Sequence, residues 1–368
     1  MSKAIRNKKF WLYTSLFFLF LIIFFGFVFG KTTSFKLDEN GKLIVKKIVI
    51  REMSNLEEEN YDKKLDFLAH TVFSTTTIKT IISTSSATTS SSTKVSLWPV
   101  KTVYPNAGAV LPFKRIVAYY GNLLSKGMGV LGEYPEDIMF IKLNAEIQKW
   151  NIADPETPAI PALHYIVVTA QAKAGEDGKY RLRMPDTEID KILKMAEKIN
   201  ALVFLDLQIG QSTIQEELPL LEKYLKMPQV HLGIDPEFSM KYGRLPGDYV
   251  GVYDAEEINY VTDYLAEIVK KNDLTPKILI VHRYTKNMIT NYKLIKTVPE
   301  VQIVMNMDGW GPKDNKLASY TKYIYKEPVQ FTGFKLFYKN DLWKPSVALM
   351  TPEEILKLTP APIYIQYQ

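Results

Sequence analysis

Cysteine is absent from the 368 residues of this chain. Its absence excludes disulfide bonds, thiolate zinc sites, iron–sulfur clusters and a cysteine nucleophile. Histidine is scarce: there are four, and none lies in the HxH or HExxH spacing that is typical of metal-dependent hydrolases. The GxSxG segment of serine hydrolases is missing as well. We therefore expect a site without a metal or other cofactor, whose chemistry relies on neither cysteine nor an activated serine.

Excess positive charge is largely confined to the N-terminus. The chain has a net charge of +6, of which Lys3, Arg6, Lys8 and Lys9 supply four. No later basic block is interleaved with aromatic residues, as nucleic-acid binding requires. We therefore exclude nucleic acid as a partner.

An uncharged apolar run follows this basic tip, residues 1–9. Residues 10–30 read FWLYTSLFFLFLIIFFGFVFG, about the length that a helix needs to cross a bilayer. The basic residues before the run favour an orientation with the N-terminus in the cytoplasm. A cleaved signal peptide is the alternative, and the protein is then secreted. In both cases we expect the rest of the chain to lie outside the cytoplasmic membrane.

Composition divides the rest of the chain into three parts. Residues 31–73 form a predicted small juxtamembrane region, with a hairpin in 34–53 and a short helix in 55–73. Residues 74–97 are rich in serine and threonine, almost uncharged and without helical periodicity, which is typical of a flexible linker. The predicted folded domain covers residues 98–368.

Short β-rich runs alternate with amphipathic helical stretches through this domain. The stretch 186–200 has a predicted capping box between Thr187 and Asp190. The stretch 254–272 begins acidic and ends basic, as the helix dipole favours, and 351–358 has proline in its first turn. The predicted strands are 113–121, 162–170, 201–210, 230–238, 277–284, 301–310, 330–338 and 361–368.

Eight strands separated by helices in about 270 residues predict a (β/α)8 TIM barrel, an α/β fold with a closed parallel sheet. An open, doubly wound sheet is the alternative. No glycine-rich phosphate-binding turn follows the first predicted strand, where such folds often carry one. We therefore favour the barrel.

Polar residues fall on one face of the predicted strands and close to their C-terminal ends. Residues i and i+2 of a strand share a face, and the catalytic groups of barrel enzymes gather at the C-terminal ends of the strands. His164 and His231 instead begin their predicted strands, and we interpret them as core or rim residues. The predicted inward residues are Thr169, Gln171, Asp206, Gln208, Gly233, Asp235, Glu237, His282, Tyr284, Asn306, Asp308, Gly333 and Lys335.

Two carboxylates one residue apart, Asp235 and Glu237, end the fourth predicted strand. Two like charges held close together raise the pKa of one of them, which suits a general acid near neutral pH. Paired carboxylates are what glycoside hydrolysis requires. We therefore predict Glu237 as the general acid and Asp235, Asp206 and Asp308 as candidates for the second catalytic role. The predicted substrate-binding residues are Gln208, His282, Tyr284, Trp310, Lys335 and Tyr120.

Lys335 has two further interpretations. As a structural residue it neutralises Asp308 or Asp235 inside the barrel. As a Schiff-base nucleophile it makes the protein an aldolase-like lyase, but neighbouring carboxylates work against that chemistry, since they favour the protonated amine.

The segment Gly233-Ile234-Asp235-Pro236-Glu237 resembles the fourth-strand signature of two barrel families, the family 18 chitinase-like enzymes and the family 25 lysozymes. The resemblance implies that Glu237 is the general acid and that Asp235 assists it. Asp308 is similar to a site carboxylate of the family 25 enzymes. Chitinase-like enzymes usually carry a further aspartate at the position of Gly233, and family 25 lysozymes carry one where this chain has Tyr119-Tyr120-Gly121.

The sequence thus predicts a membrane-tethered, extracytoplasmic barrel that resembles glycoside hydrolases. Its expected substrate is a polysaccharide of the cell envelope, such as a peptidoglycan-type glycan, or an external polysaccharide. The alternative is a barrel of the same fold that binds glycans or acts as a scaffold at the cell surface without catalysis.

Overall fold

A computed structural model describes residues 51–70 and 96–368, together with the backbone of two strands nearer the N-terminus. Those two strands, Thr33–Leu37 and Leu43–Lys47, pair antiparallel, as the predicted hairpin requires. The apolar run 10–30 and the linker 74–97, except for its last two residues, lie outside the described residues. Within the described part of the chain, no helix is long and apolar enough to cross a membrane.

All eight predicted barrel strands are present, and they run parallel. Each strand pairs with its neighbours in sequence, and the eighth pairs with both the seventh and the first, so that the sheet closes. This closure confirms the barrel and excludes the open sheet. The strands are β1 (Arg115–Gly121), β2 (Ala159–Ala170), β3 (Leu202–Leu207), β4 (Val230–Ile234), β5 (Lys277–Arg283), β6 (Val301–Met307), β7 (Phe331–Leu336) and β8 (Tyr364–Tyr367).

Side chains of the strands form two separate hydrophobic layers. Leu205, Ile234 and Val281 belong to the large outer layer between strands and helices. Phe204 and Ile280 belong to a smaller layer inside the barrel. This alternation follows from the two faces of a strand, and it confirms the predicted parity of β3, β4 and β5. The inner layer fills the N-terminal part of the barrel, which leaves the C-terminal part to polar side chains.

Four longer helices are α1 (Asn55–Leu68), α2 (Glu136–Ala153), α3 (Asp186–Lys198) and α4 (Ala255–Asn272). The predicted capping box at Thr187 is wrong, because the N-cap of α3 is Pro185, which has no side-chain acceptor. A capping box forms instead between Thr351 and Glu354, at the helix with proline in its first turn. Shorter helical segments are Lys126–Met128, Val130–Glu133, Ile214–Glu217, Leu218–Leu221, Glu222–Leu225, Pro236–Phe238, Lys286–Met288, Tyr292–Leu294, Lys313–Ser319, Tyr320–Tyr325, Asn340–Leu342 and Pro352–Ile355.

Helix α1 packs beneath the N-terminal end of the barrel. Its Tyr61 is buried in edge-to-face contact with Phe113 and Phe331. The carbonyl of Leu68 accepts a hydrogen bond of 2.7 Å from the amide of Ala361, just before β8. The sequence groups this helix with a juxtamembrane region, whereas the described helix belongs to the same compact unit as the barrel.

Candidate active site

The chain turns sharply where β4 ends, and the turn places the predicted acid pair. β4 ends at Ile234 rather than continuing to residue 238, and Pro236–Phe238 forms one turn of 3-10 helix. Asp235 caps this turn, since its Oδ1 accepts a hydrogen bond of 3.0 Å from the amide of Glu237. The capped turn separates the two carboxyls: Asp235 is 2% exposed, and Glu237 is half-buried at the mouth of the barrel.

Among the described residues, the side-chain hydrogen-bond partner of Glu237 is Tyr284, which follows the C-terminal end of β5. The Tyr284 hydroxyl donates to Glu237 Oε1 over 3.0 Å. Burial and the negative charge of Asp308 raise the pKa of Glu237, although the bond from Tyr284 opposes that rise. A carboxyl that keeps its proton to a higher pH than an ordinary glutamate and still reaches solvent suits the role of a general acid.

Asp235 lies deeper than Glu237. Burial raises its pKa well above the ordinary value, and the negative charges of Asp308, Glu237 and Asp206 act in the same direction, against the charge of His282. These effects favour the neutral form of Asp235, and its described hydrogen bond is to the backbone of the Glu237 turn. This position suits a residue that shapes the turn and limits the negative charge around Glu237.

Asp206, at the inner face of β3, is fully buried in the barrel interior. Its Oδ2 accepts a hydrogen bond of 2.9 Å from the Tyr120 hydroxyl. Its Oδ1 lies 3.2 Å from His164 Nε2 and 3.4 Å from His282 Nε2. Burial alone would raise the pKa of Asp206, but the two imidazoles outweigh it and hold the pKa well below the ordinary value.

A second ion pair continues from His282 towards β7. His282 Nδ1 lies 3.0 Å from Asp308 Oδ2, and Lys335 Nζ lies 2.9 Å from Asp308 Oδ1. Burial lowers the pKa of His282, but the carboxylates of Asp308 and Asp206 outweigh burial and raise it to about 10. Lys335 is 3% exposed, and its Nζ also stands 3.8 Å above the Tyr120 ring. The ammonium is thus engaged by a carboxylate and an aromatic ring, which speaks against a Schiff-base lyase.

The predicted residues assemble into a chain of contacts across the barrel. Gln208 donates to the Tyr120 hydroxyl over 3.1 Å. Four of the predicted substrate-binding residues are buried beneath the mouth, where each contacts other side chains of the barrel: Gln208, Tyr120, His282 and Lys335. Their role in substrate binding stays a prediction.

His164 is a core residue, as the sequence predicts, but it lies deeper in its strand than predicted. β2 begins at Ala159, three residues earlier than predicted, so His164 lies inside the strand and points at Asp206. A β-bulge in β2 then puts both Val167 and Val168 in the outer hydrophobic layer. Simple alternation could not show this bulge. Burial lowers the pKa of His164 to about 4, against the opposing effect of Asp206.

Two exposed tryptophans stand on the loops that follow β6 and β7. Trp310 and Trp343 meet edge to face with ring centroids 4.7 Å apart, and Trp310 is 51% exposed. A buried pair braces both loops: Lys316 Nζ lies 3.0 Å from Asp341 Oδ2 and donates to the Gly309 carbonyl over 2.7 Å. The two rings are therefore held on a fixed part of the rim.

No protein-family model matches this chain, and no match was found among curated proteins. Solved structures to which it is similar include a ruminal GH26 endo-beta-1,4-mannanase (11% identity, TM-score 0.33, 69% of this chain and 59% of that chain). A second is a GH5 xyloglucan-specific endo-beta-1,4-glucanase from a metagenomic library (9% identity, TM-score 0.32, 64% of this chain and 78% of that chain). A third is a Bacillus subtilis mannanase (12% identity, TM-score 0.34, 73% of this chain and 88% of that chain). This chain thus spans 59% of the length of the ruminal enzyme.

Proposed function

We propose that this protein is a glycoside hydrolase-like barrel that acts on an external or cell-envelope polysaccharide. The observation that carries the proposal is Glu237. It is half-buried at the mouth, its pKa is raised, and a tyrosine hydroxyl fixes its carboxyl. A general acid of this kind protonates the leaving oxygen of a glycosidic bond.

Asp308 is the proposed second carboxylate. Its two oxygens contact Lys335 and His282, so that the ion pairs keep it negatively charged. Its charge is also the one that, after burial, raises the pKa of Glu237 most. One protonated and one ionised carboxyl in neighbouring environments is the division of roles that glycoside cleavage uses.

The rim aromatics supply a surface for the glycan. Trp310 and Trp343 are exposed and held in fixed positions beside the mouth. Aromatic rings bury the apolar face of a sugar while the sugar hydroxyls stay in water. A polysaccharide is therefore the substrate class that this rim suits.

Tethering at the outer side of the membrane is also part of the proposal. Its support is the uncharged run 10–30 with its basic flank. Such an anchor would hold the barrel close to envelope glycans.

A non-catalytic glycan-binding barrel is the second candidate. Asp206, Asp235 and Asp308 are all buried and engaged by neighbours, so that Glu237 is the one half-exposed carboxyl of the four predicted. A site that only binds would tolerate that arrangement.

One experiment separates the two candidates. The full-length protein is incubated with mannan, β-glucan, chitin-type and peptidoglycan-type polysaccharides, and both released sugars and retention of the protein on the glycan are measured. New reducing ends support hydrolysis. Retention without new reducing ends supports the binding barrel. If no glycan gives either new reducing ends or retention, both candidates are contradicted.

A further inference from the structure

Three side-chain atoms from three different strands converge in the barrel interior without hydrogen-bond partners. They are His164 Nε2 on β2, Asp206 Oδ1 on β3 and His282 Nε2 on β5. All three side chains are fully buried, and the three atoms lie within 4.8 Å of one another. Among the described residues, no donor or acceptor satisfies any of the three in hydrogen-bond geometry. Buried polar atoms that lack partners call for an explanation, such as an ion.

Two of the three distances between these atoms suit a tetrahedral metal ion, and the third is within 4.8 Å. Asp206 Oδ1 is 3.2 Å from His164 Nε2 and 3.4 Å from His282 Nε2. A zinc ion bonds histidine nitrogen and carboxylate oxygen at about 2.0–2.2 Å, which places neighbouring ligand atoms of a tetrahedron about 3.3–3.5 Å apart. Two imidazoles and one carboxylate are also a donor set that zinc accepts, with water in the fourth position.

The second ring nitrogen of each histidine and the second oxygen of Asp206 each contact a further residue, as is usual for the ligands of metal centres. His282 Nδ1 faces Asp308 Oδ2 at 3.0 Å, and His164 Nδ1 faces the Tyr364 hydroxyl at 2.6 Å. Asp206 Oδ2 accepts from the Tyr120 hydroxyl at 2.9 Å. These contacts turn both rings so that Nε2 faces the same point as the Asp206 oxygen.

Gly233 leaves the space that an ion needs. A Cβ at this position would lie 2.3 Å from Asp206 Oδ1 and 2.5 Å from His164 Nε2. Both distances are far shorter than any real Cβ contact, so a side chain on Gly233 would push these two donor atoms out of position.

We propose that His164, Asp206 and His282 bind one Zn²⁺ inside the barrel. The ion joins β2, β3 and β5 beneath the candidate active site, and it binds three atoms that otherwise contact only one another without hydrogen-bond geometry. Glu237 is not among its ligands, so the zinc site and the proposed glycan chemistry can each fail without the other.

The test is titration of the full-length protein, freed of metal by a chelator, with ZnCl2 in a calorimeter. We expect one ion per chain and a rise in melting temperature. His164→Gln, His282→Gln and Asp206→Asn should each weaken binding at least 100-fold. Tyr364→Phe, which removes the support of His164 and a hydrogen bond from Gln366 but no ligand, should weaken it about 10–100-fold. Gly233→Ala should abolish binding although it removes no ligand.

His70→Gln is the matched control, because His70 is exposed and lies at the opposite end of the barrel, against the carbonyls of Leu356 and Leu358. It should bind zinc as the unaltered protein does. Absence of zinc binding by the unaltered protein, or equal binding by folded His282→Gln, would overturn the proposal. If circular dichroism shows that the ligand variants are unfolded, the unaltered protein alone is used for the test. Bound Co²⁺ should then show the visible absorption of a tetrahedral site, and absence of that absorption contradicts the assignment.

Discussion

Tyr284 donates its hydroxyl hydrogen to Glu237 Oε1 over 3.0 Å and so joins the end of β5 to the turn after β4. The hydroxyl fixes one oxygen of the carboxyl. It also favours the ionised form of Glu237, against the stronger opposing effects of burial and of Asp308. The pKa of Glu237 thus reflects burial and the charge of Asp308, which raise it, against the hydrogen bond from Tyr284 and the charges of Lys335 and His282, which lower it.

Tyr284→Phe removes that hydrogen bond and leaves the ring. Because the bond lowers the pKa of Glu237, its loss should raise the pKa further. A general acid is active while protonated, so the alkaline limb of the rate profile should move to higher pH. The pH dependence of kcat/KM for glycan cleavage measures this, and a limb that stays in place or moves to lower pH contradicts the role of Tyr284.

Trp310→Ala should weaken glycan binding about tenfold or more, because truncation of an aromatic side chain that is important for binding commonly costs at least ~1.4 kcal/mol of binding free energy. The turnover of bound glycan should change little, since the ring lies on the rim and not at Glu237. Affinity electrophoresis in the polysaccharide measures the change. Leu220→Ala, another exposed apolar residue but in a helical segment between β3 and β4, is the control and should bind as before.

Lys335→Met should destabilise the fold by about 3–5 kcal/mol, because it leaves the buried Asp308 carboxylate without its cation. Lys339→Met is the matched control on the surface. Its side chain is 73% exposed and pairs with Glu133, so solvent screens the pair and its loss should cost far less than loss of the interior pair. Urea unfolding measures both. Equal losses in the two variants would show that the interior ion pair is not important for stability.

The buried imidazole of His231, near the N-terminal end of the barrel, should make the stability of the protein depend on pH. Burial and the charge of Lys277 lower the pKa of its imidazole well below the ordinary value. Below about pH 6.5 the unfolded chain therefore binds a proton that the folded chain does not, and stability falls as pH falls, by at most about 1.4 kcal/mol per pH unit. His231→Asn should lose less stability than the unaltered protein between pH 7 and pH 5.5. Parallel losses in urea unfolding would contradict this.

The barrel itself could be predicted from the sequence because its signals are local. Each strand is a short β-rich run, and the alternation of Asp206 and Gln208 with Leu205 and Leu207 already separates interior from exterior. Tertiary closure then follows from eight such units.

The interior network could not be predicted to the same depth. Because β2 starts at Ala159, His164 lies in the middle of the strand beside Asp206 and not at its beginning, and the boundaries of strands are the least certain part of a pattern. The turn after Ile234 is set by the capping bond of Asp235, which the expected alternation of the strand does not include. Gly233 stands where chitinase-like enzymes usually carry aspartate, and its neighbours Asp206 and His164 leave no space for a side chain.

Glu237→Gln is the most direct test of the account, because it replaces the carboxyl by an amide of nearly the same shape. The measured quantity is the initial rate of release of reducing ends from a glycan that the unaltered protein cleaves, with retention on that glycan measured in parallel. Loss of a general acid should lower the rate about 10²–10⁴-fold while binding is kept. A variant that cleaves at the unaltered rate would contradict the assignment of Glu237.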